Sequence, residues 1–489
     1  MTLRAHTLMH ECEGRGRMYS ERASLGRANG SEMAISERGF SIFNLSVILN
    51  IMAIEEIRKT RLKKLENIKK AGIDPYPAES FRSHKVSEAL ENFEGLSNSG
   101  EKITLAGRLM SLREHGGSTF GDLKDESGKI QLFFKKDIVG DGQYRFFIEN
   151  FDIGDFIETS GVLIKTKVGE QTLEIQSFRI LAKTLLPLPE KWHGLQDVEE
   201  RFRKRYLDLI FNQEAKEKFL QRSEIIKKIR QYFLDAGCVE VETPMLQTIP
   251  GGALAKPFKT HLNALDLDLY LRVAPELFLK RLLIGGFEKV FEIGRNFRNE
   301  GIDRDHNPEF TMLEAYFAYK DYNWLMEFTE DFFVHLNENF KRPFKRVEFR
   351  ELLKWKNGPE ADEVFKKEIR PTIIEPTFVI NHPIDLSPLA KKISETGVAR
   401  FQLIAGGFEL CNAFSELNDP VDQKERFEKQ KKLKGDEVHP YDKDFLEALE
   451  YGMPPAAGIG IGIDRLVMFL TGSKNLREII LFPTMKPKE

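Results

Sequence analysis

The chain has 489 residues, of which 41% are hydrophobic and 30% are charged, so a wholly disordered protein is excluded. Its 73 basic and 76 acidic residues nearly balance, and any nucleic-acid surface must therefore be a local patch. Three scattered cysteines exclude a disulfide framework and fit a reducing compartment. No apolar run reaches the roughly 18–20 residues that span a bilayer, and we expect a cytoplasmic protein without a membrane partner.

Residues 1–51 differ in composition from the rest of the chain, because they contain six arginines and no lysine. Arginine and serine are typical of transit peptides, but five glutamates argue against that interpretation. We expect residues 1–51 to be an atypical extension that is disordered or not native, with the functional chain starting at Met52.

The next segment predicts a basic helix followed by a small barrel. Apolar residues recur at helical spacing from Ile54, and lysines and arginines cover the other faces until Gly72 ends the helix. This helix either lies along a nucleic-acid backbone or is a solvated surface. Between residues 101 and 183, five short strands with a helix between the third and fourth indicate an OB-type barrel, whose open face binds single-stranded nucleic acid.

The proline-rich stretch 185–189 predicts a stiff linker to a second domain. Beyond it, we expect a helix over 221–236 and a strand over 238–243 that a proline ends. We assign residues 52–185 to the helix and barrel. Residues 186–489 form a domain that mixes antiparallel strands with helices, which makes the fold class α+β.

Two segments of the second domain carry the chemistry. The first, residues 290–316, alternates at strand period around a loop and predicts a hairpin. Its polar and aromatic side chains suit a pocket better than a salt-bridged surface; they include Arg298, Glu300, His306, Glu314 and Tyr316. The second, residues 458–462, alternates glycine with isoleucine, so one face is bare and a ligand or a backbone can approach it. Asp464 then opens a helix with Arg465 in its first turn.

These segments resemble motifs 2 and 3 of the class II aminoacyl-tRNA synthetases, and Pro244 resembles the motif 1 proline at their dimer interface. A closer resemblance, to class II lysyl-tRNA synthetases, runs from about Met52 to Lys488 and is carried by VETPMLQ, FRNEG, HNPEFTMLEAY, FSELND and GIGIGIDRLVM. It implies an OB-fold anticodon-binding domain, a catalytic domain with an antiparallel sheet flanked by helices, and a homodimer. It also implies that L-lysine and ATP give lysyl-adenylate, and that the lysyl group is transferred to the 3′ end of tRNA(Lys).

The resemblance also implies which residues bind ATP. Arg298 would hold the α-phosphate and the lysine carboxylate in one planar fork, and Arg465 would meet the γ-phosphate, so these two arginines are the expected catalytic residues. Phe310 would stack on the adenine opposite Arg465. Further ATP contacts are expected from Glu300, His306, Asn307 and Glu409.

A lysine ammonium that enters a dry pocket needs anionic partners. The resemblance assigns the side-chain pocket to Glu276, Glu416, Tyr316 and Phe414. It assigns the α-amino and carboxylate groups of lysine to Gly252, Glu314, Asn412 and Arg298. Phe278 stands where the family often has a tyrosine, so we expect the pocket to lack one hydroxyl.

A magnesium site is expected beside the ATP phosphates, because magnesium prefers carboxylate and phosphate oxygens. Glu409 matches one metal-binding acid of the family, whereas Gln402 stands where the other acid is expected. A neutral amide donates an oxygen but no charge, so the number of ions stays open.

In the barrel, Phe120, Gln131 and Glu170 match the anticodon-reading positions of the family. An aromatic face stacks on an unstacked base, and polar side chains read its edge. The alternative for Phe120 is a place in the barrel core.

Three alternatives to a lysyl-tRNA synthetase remain at this point. An aspartyl- or asparaginyl-tRNA synthetase shares the same architecture, but its substrates call for basic or neutral pocket residues rather than Glu276 and Glu416. An enzyme that lysylates a protein would lack the barrel. A non-catalytic synthetase-like RNA-binding protein is opposed by Arg298 and Arg465 and supported by Gln402.

Overall fold

The structure is a computed structural model that describes residues 52–189, 197–353, 359–432 and 441–488. The extension expected over 1–51 lies outside these residues. The chain forms two compact units that divide after Pro189, and each is described by itself. In the described part of the chain, no helix is both long enough and apolar enough to cross a membrane.

The first unit begins with a helix over residues 52–70 (α1), as the apolar spacing predicts. Its inner face buries Ile68 in the core of the unit, and most of its basic residues are exposed. Arg61 is an exception, because its buried guanidinium donates to Thr184 Oγ1 at 2.7 Å and to the Leu186 carbonyl at 2.9 Å. This arginine therefore fastens α1 to the rest of the unit. Two short helices follow along the chain, α2 (Val86–Glu91) and α3 (Phe93–Ser99).

Within the described residues, five strands close into a barrel in the order β1-β2-β3-β5-β4. The barrel consists of β1 (Ile103–His115), β2 (Ser118–Lys124), β3 (Lys129–Lys135), α4 (Lys136–Val139), α5 (Asp141–Asn150), β4 (Phe156–Lys165) and β5 (Gln171–Ala182). Side chains alternate along β3, so Leu132 and Phe134 are buried in the barrel while Phe133 is half-buried on its outside. The five predicted strands and the helical segment between the third and fourth are confirmed.

The second unit contains a larger set of elements. They are α6 (Val198–Arg203), α7 (Arg205–Phe211), α8 (Gln213–Asp235), β6 (Val239–Glu240), β7 (Leu246–Gln247), β8 (Lys259–Leu262), β9 (Leu267–Leu271), α9 (Glu276–Ile284), β10 (Lys289–Phe297), β11 (Glu309–Ala318), α10 (Tyr322–Leu336), β12 (Lys345–Glu348), α11 (Phe349–Leu352), α12 (Pro359–Val364), β13 (Thr377–Ile380), β14 (Arg400–Ala405), β15 (Phe408–Ser415), α13 (Pro420–Lys432), α14 (Lys443–Glu450), β16 (Ala456–Gly462) and α15 (Ile463–Leu470).

Eight of the described strands form one sheet in the order β12-β13-β14-β15-β16-β11-β10-β6. Adjacent strands run antiparallel except for β12 with β13 and β10 with β6. One side of the sheet packs on α8, α10 and α15 through a core that contains Phe233, Phe317 and Val467. The predicted α+β class with a mainly antiparallel sheet is confirmed.

The helix expected over 221–236 is longer than predicted, because α8 already begins at Gln213, where Asn212 accepts a capping bond from the Ala215 amide at 3.2 Å. The strand expected over 238–243 is much shorter, since only Val239–Glu240 is assigned as strand. It lies at the edge of the sheet, and the Thr243 hydroxyl beyond it donates to Glu292 Oε2 at 2.7 Å. The strand is therefore present where predicted, but its predicted bounds were wrong.

Candidate active site

A cavity of about 800 Å³ opens on the central strands of the sheet in the second unit. Strands β11, β15 and β16 form its floor, and the β10–β11 loop and the first turn of α9 contribute to its walls. Nearly all residues predicted for ATP and lysine line it. They are Gly252, Glu276, Arg298, Glu300, His306, Asn307, Phe310, Glu314, Tyr316, Gln402, Glu409, Asn412, Phe414 and Arg465.

The glycine strand β16 makes room for the large side chains beside it. It pairs antiparallel with β11, so Glu314 lies opposite Gly460 and Tyr316 lies opposite Gly458. A Cβ atom at Gly458 would come within 2.2 Å of Glu416 Oε1 and 2.4 Å of Tyr316 Cε1. The bare face of this strand was predicted from the sequence, and the missing side chain at Gly458 leaves room for Glu416 and Tyr316.

Arg298 lies where β10 ends, and its amide donates to the Pro308 carbonyl at 2.9 Å, which closes the base of the hairpin loop. Its guanidinium carbon is 5.0 Å from the centre of the Phe310 ring. The buried Nε has no hydrogen-bond partner among the described residues. Desolvation in the cavity lowers the pKa of Arg298, and the nearby Glu300 charge partly offsets this effect. Arg298 is therefore a half-buried cation whose Nε is free to donate.

Arg465, in the first turn of α15, reaches the same loop. Its Nη2 lies 3.0 Å from His306 Nε2, and His306 Nδ1 lies 2.9 Å from the Asp303 carboxylate. Because arginine is always protonated, His306 accepts at Nε2 and therefore donates from Nδ1. Two arginines, Arg298 and Arg465, thus approach one end of the cavity.

The opposite end of the cavity is acidic. Glu276 at the start of α9 and Glu314 on β11 are both buried, and Tyr316 donates from its hydroxyl to Glu314 Oε2 at 3.0 Å. Burial raises the pKa of Glu276. Burial, reinforced by the nearby Glu276 charge, raises the pKa of Glu314 to about 8. A cation bound at this end would therefore favour the ionised form of both carboxyl groups.

Glu416 is buried, and its Oε1 would lie 2.2 Å from a Cβ atom added at Gly458, which lines the cavity. Its Oε2 lies 2.5 Å from the ammonium of Lys280, which is also 2.6 Å from Glu276 Oε1. Sequence reasoning missed Lys280, although its spacing of four residues from Glu276 on a helix puts both side chains on one face. Phe278 lies outside the residues that line the cavity, and its ring carries the Arg281 guanidinium at 4.9 Å. Since position 278 is not part of the cavity wall, a phenylalanine there removes no hydroxyl from this pocket.

Glu409 and Gln402 lie in the cavity on neighbouring strands. The Glu409 carboxylate is 3.7 Å from Arg370 Nη1, and both side chains are partly exposed. Within the described residues, no group of three or more His, Cys, Asp or Glu side chains is arranged to hold a metal. Asn412 accepts from Arg400 Nε at 2.7 Å, which fixes the orientation of its amide.

In the barrel, Phe120 is half-buried rather than part of the core, and its ring stacks on Phe133 with centroids 4.4 Å apart. Gln131 lies opposite Asp122 in the register and accepts from the Thr172 hydroxyl at 2.9 Å. Sequence reasoning missed Phe133, whose outward alternation next to buried Phe134 was the available signal. Glu170, by contrast, is exposed just before β5 begins.

The barrel, the antiparallel sheet and the two arginines of the cavity define a class II aminoacyl-tRNA synthetase. In agreement, the family described as tRNA synthetases class II (D, K and N) matches residues 197–486, and the OB-fold nucleic acid binding domain matches residues 103–181. The chain is 48% identical to a lysine–tRNA ligase of Carboxydothermus hydrogenoformans, over 89% of this chain and 99% of that protein. It is 47% identical to one of Syntrophomonas wolfei, over 89% and 98%, and 45% identical to one of Moorella thermoacetica, over 90% and 100%. The chain belongs to the lysine–tRNA ligase family, which confirms the predicted family.

Proposed function

We propose that the chain activates L-lysine with ATP and transfers the lysyl group to the 3′ end of tRNA(Lys). The observation that carries this proposal is the separation of positive and negative side chains within one cavity. Arg298 and Arg465 lie at one end, where phosphates would bind, and Glu276 and Glu314 lie at the other, where two ammonium groups would bind. Tyr316 adds a hydroxyl between these acids, and Phe414 adds an apolar wall.

In the first step, a lysine carboxylate oxygen attacks the α-phosphorus of ATP and pyrophosphate leaves. The carboxylate is already ionised at neutral pH, so the chain needs no general base and contributes positioning and charge neutralisation. Arg298 fits this task, because its free Nε and planar fork suit both the phosphate and the carboxylate. In the second step, a ribose hydroxyl of the terminal adenosine attacks the adenylate carbonyl carbon and releases AMP.

The adenine end is assigned to Phe310 and Arg465, which would enclose the base from two sides. Glu300, His306 and Asn307 line the loop beside them and are proposed as further ATP contacts. At the lysine end, the backbone at Gly252 and the amide of Asn412 are proposed to bind the α-amino group and the carboxylate.

Magnesium is the proposed cofactor. The donors present, one Glu409 carboxylate and one Gln402 amide oxygen, fit an ion that arrives with ATP, because magnesium keeps several waters and takes few protein ligands. They do not fit a site built from protein ligands alone. When bound with ATP, the ion would neutralise phosphate charge beside Arg298.

We further propose that residues 52–185 bind the anticodon through Phe120, Gln131 and Glu170, and that residues 186–489 catalyse both steps. The chain is proposed to act as a homodimer in the cytoplasm. An edge strand, β6, with half its Val239 surface exposed supports a partner on that side.

Amino-acid-dependent ATP–pyrophosphate exchange tests the proposal, with lysine, aspartate and asparagine compared in parallel on a chain that starts at Met52. Exchange with lysine alone is expected, because the acidic end would repel aspartate and leave buried charge unpaired with asparagine. Exchange with aspartate or asparagine would overturn the pocket assignment. No exchange with any of them, together with normal tRNA binding, would favour a non-catalytic RNA-binding protein.

A further inference from the structure

Arg370 is a cation of the cavity wall to which the proposed reaction assigns no role. It lies in a short helical turn, Arg370–Thr372, and its side chain is 22% exposed. Its Nη1 lies 3.7 Å from Oε2 of Glu409, a separation that is too long for a hydrogen bond. Among the described residues, its buried Nε has no hydrogen-bond partner. The guanidinium therefore has donor capacity left for a bound anion.

Two lysines of the preceding turn also line the cavity, but both are already paired with carboxylates. The Lys366 ammonium lies 2.6 Å from Asp362, and the Lys367 ammonium lies 2.9 Å from Glu363. These lysine side chains are 52% and 74% exposed, so water screens their charges. Arg370 differs from both, because it is mostly buried and has no close carboxylate partner among the described residues.

The chain that follows Arg370 packs against the turn between β14 and β15. The Gly407 amide in that turn donates to the Ile373 carbonyl at 2.9 Å. A Cβ atom at Gly407 would come within 3.2 Å of the Pro371 backbone, and its positive φ of 81° also favours glycine. This close packing holds Arg370 beside Glu409, which is the second residue of β15.

Glu409 links Arg370 to the phosphate end of the cavity. Desolvation lowers the pKa of Arg298, and nearby carboxylates oppose this effect, Glu300 most strongly and Glu409 among the others. Glu409 is thus close enough to act on the arginine that is proposed to hold the α-phosphate. Arg298, Arg465 and Arg370 together give this end of the cavity three guanidinium groups.

The charges beside Glu409 balance without a second acid. The resemblance expects two metal-binding carboxylates, but Gln402 leaves Glu409 as one acid where two are expected. One magnesium ion with two carboxylates has a net charge of zero, and Glu409 with Arg370 also sums to zero. The charge that phosphoryl transfer needs on its phosphates can be supplied by metal ions or by arginine.

We propose that Arg370 binds the triphosphate of ATP and supplies, beside Glu409, the positive charge that a divalent ion held by two acids would supply. The proposal rests on the proposed function, because it concerns the same ATP site. Magnesium that arrives with ATP is still bound, but the chain needs fewer ions than a site with a second acid in place of the arginine.

Binding of α,β-methylene-ATP, measured by calorimetry with magnesium present and with lysine and tRNA absent, tests the phosphate contact. Arg370→Met should weaken binding roughly tenfold or more, the worth of a hydrogen bond to a charged group. Arg346→Met is the matched control, since Arg346 is exposed on β12 and lies outside the cavity, and it should bind the analogue normally. Unchanged affinity in Arg370→Met would overturn the proposal.

Melting temperatures are measured for every variant, to separate a lost contact from a lost fold. If Arg370→Met does not fold, Arg370→Gln replaces it, because the amide keeps a polar group at this position but not its charge. The same loss of affinity is expected there, and a folded Arg370→Gln variant with unchanged affinity would contradict the proposal.

A double variant tests the exchange of a guanidinium for an ion. Arg370→Met combined with Gln402→Glu replaces the arginine by a second acid, and electron paramagnetic resonance counts the manganese ions bound with the analogue. The double variant should bind one ion more per chain than the unaltered protein, and its affinity for the analogue should exceed that of Arg370→Met. A purely structural role of Arg370 predicts no recovery and an equal ion count, and such a result would overturn the proposal.

Lysine-dependent exchange separates this proposal from the proposed function. Exchange by the unaltered chain, combined with normal analogue binding in Arg370→Met, would overturn only the role of Arg370. Absence of exchange in the unaltered chain, combined with weaker analogue binding in Arg370→Met, would overturn the proposed function and support the phosphate contact.

Discussion

Arg465 donates from Nη2 to Nε2 of His306 at 3.0 Å, and this bond ties the first turn of α15 to the loop between β10 and β11. Asp303 completes the arrangement by accepting from His306 Nδ1 at 2.9 Å. Burial alone would raise the pKa of Asp303, but hydrogen bonds from the Asp305 amide and the His306 ring outweigh it and lower the pKa. The loop therefore holds Arg465 in place before ATP binds.

His306→Ala is expected to raise KM for ATP by roughly three- to tenfold, the worth of one ordinary hydrogen bond, because the bond between Arg465 and His306 is exposed to solvent. KM for lysine should stay unchanged, because the acidic end of the cavity does not contact this loop. Pyrophosphate exchange at varied ATP and lysine measures both constants. His335→Ala, at an exposed position on α10, is the control. An equal rise in both KM values would show that His306 supports the whole site and not Arg465 alone.

Glu314 should make lysine use dependent on pH. Its pKa is raised to about 8 by burial and by Glu276, so below pH 8 the empty pocket holds a proton on this carboxyl group. A lysine ammonium favours the ionised form, and binding must then release that proton. We expect kcat/KM for lysine to rise from pH 6.5 to 8 and then level, while kcat/KM for ATP changes little.

Calorimetry in buffers of different ionisation enthalpy gives the number of protons released when lysine binds. At pH 7 the expected release from Glu314 is close to one proton. Glu314→Gln should weaken lysine binding and remove the release, whereas Glu327→Gln, on the exposed side of α10, should preserve both. Lysine binding without proton release in the unaltered chain would contradict the raised pKa.

The sequence could predict the hairpin and the glycine strand because both follow the simple two-residue period of a strand, which also orders Phe310, Glu314 and Tyr316 on one face. It could not predict the contact between Lys280 and Glu416. These residues meet only when α9 comes to lie beside the end of β15, and no local spacing reports that contact. Phe278 was placed in the pocket by resemblance alone. Two residues along a helix turn the chain by about 200°, so Phe278 points away from the face that presents Glu276.

Gly458→Ala should strongly reduce lysine activation while the chain remains folded. The added Cβ would approach Glu416 Oε1 to 2.2 Å, so Glu416 or Tyr316 must move. We expect a loss of roughly 100-fold in kcat/KM for lysine and a loss of about 1–3 kcal/mol in the free energy of unfolding. Exchange kinetics and denaturant unfolding measure the two effects.

Gly285→Ala is the matched control for this substitution. Gly285 follows α9, and its added Cβ would meet nothing nearer than the Leu282 carbonyl at 3.4 Å. Its backbone φ of −73° suits alanine. Activity and stability should therefore be unchanged in this variant. Normal lysine kinetics in Gly458→Ala would show that the bare face of β16 serves packing in the sheet and not the pocket.

Phe120→Ala should affect tRNA and leave the activation step intact. The ring stacks on Phe133 at 4.4 Å on the outside of the barrel, where an unstacked base could continue the stack. Loss of one stacking surface costs about 1–3 kcal/mol, so we expect kcat/KM for tRNA charging to fall roughly five- to 150-fold. Lysine-dependent pyrophosphate exchange should not change, since it needs no tRNA.

Phe156→Ala tests whether any partly exposed aromatic residue of the barrel would give the same loss. Phe156 is 37% exposed on β4, and its ring carries the Arg108 guanidinium at 4.2 Å. Because β4 is separated from β2 and β3 by other strands, this variant should charge tRNA normally. A similar loss in both variants would indicate a general effect on the barrel, whereas a loss confined to Phe120→Ala would locate the anticodon on the β2–β3 surface.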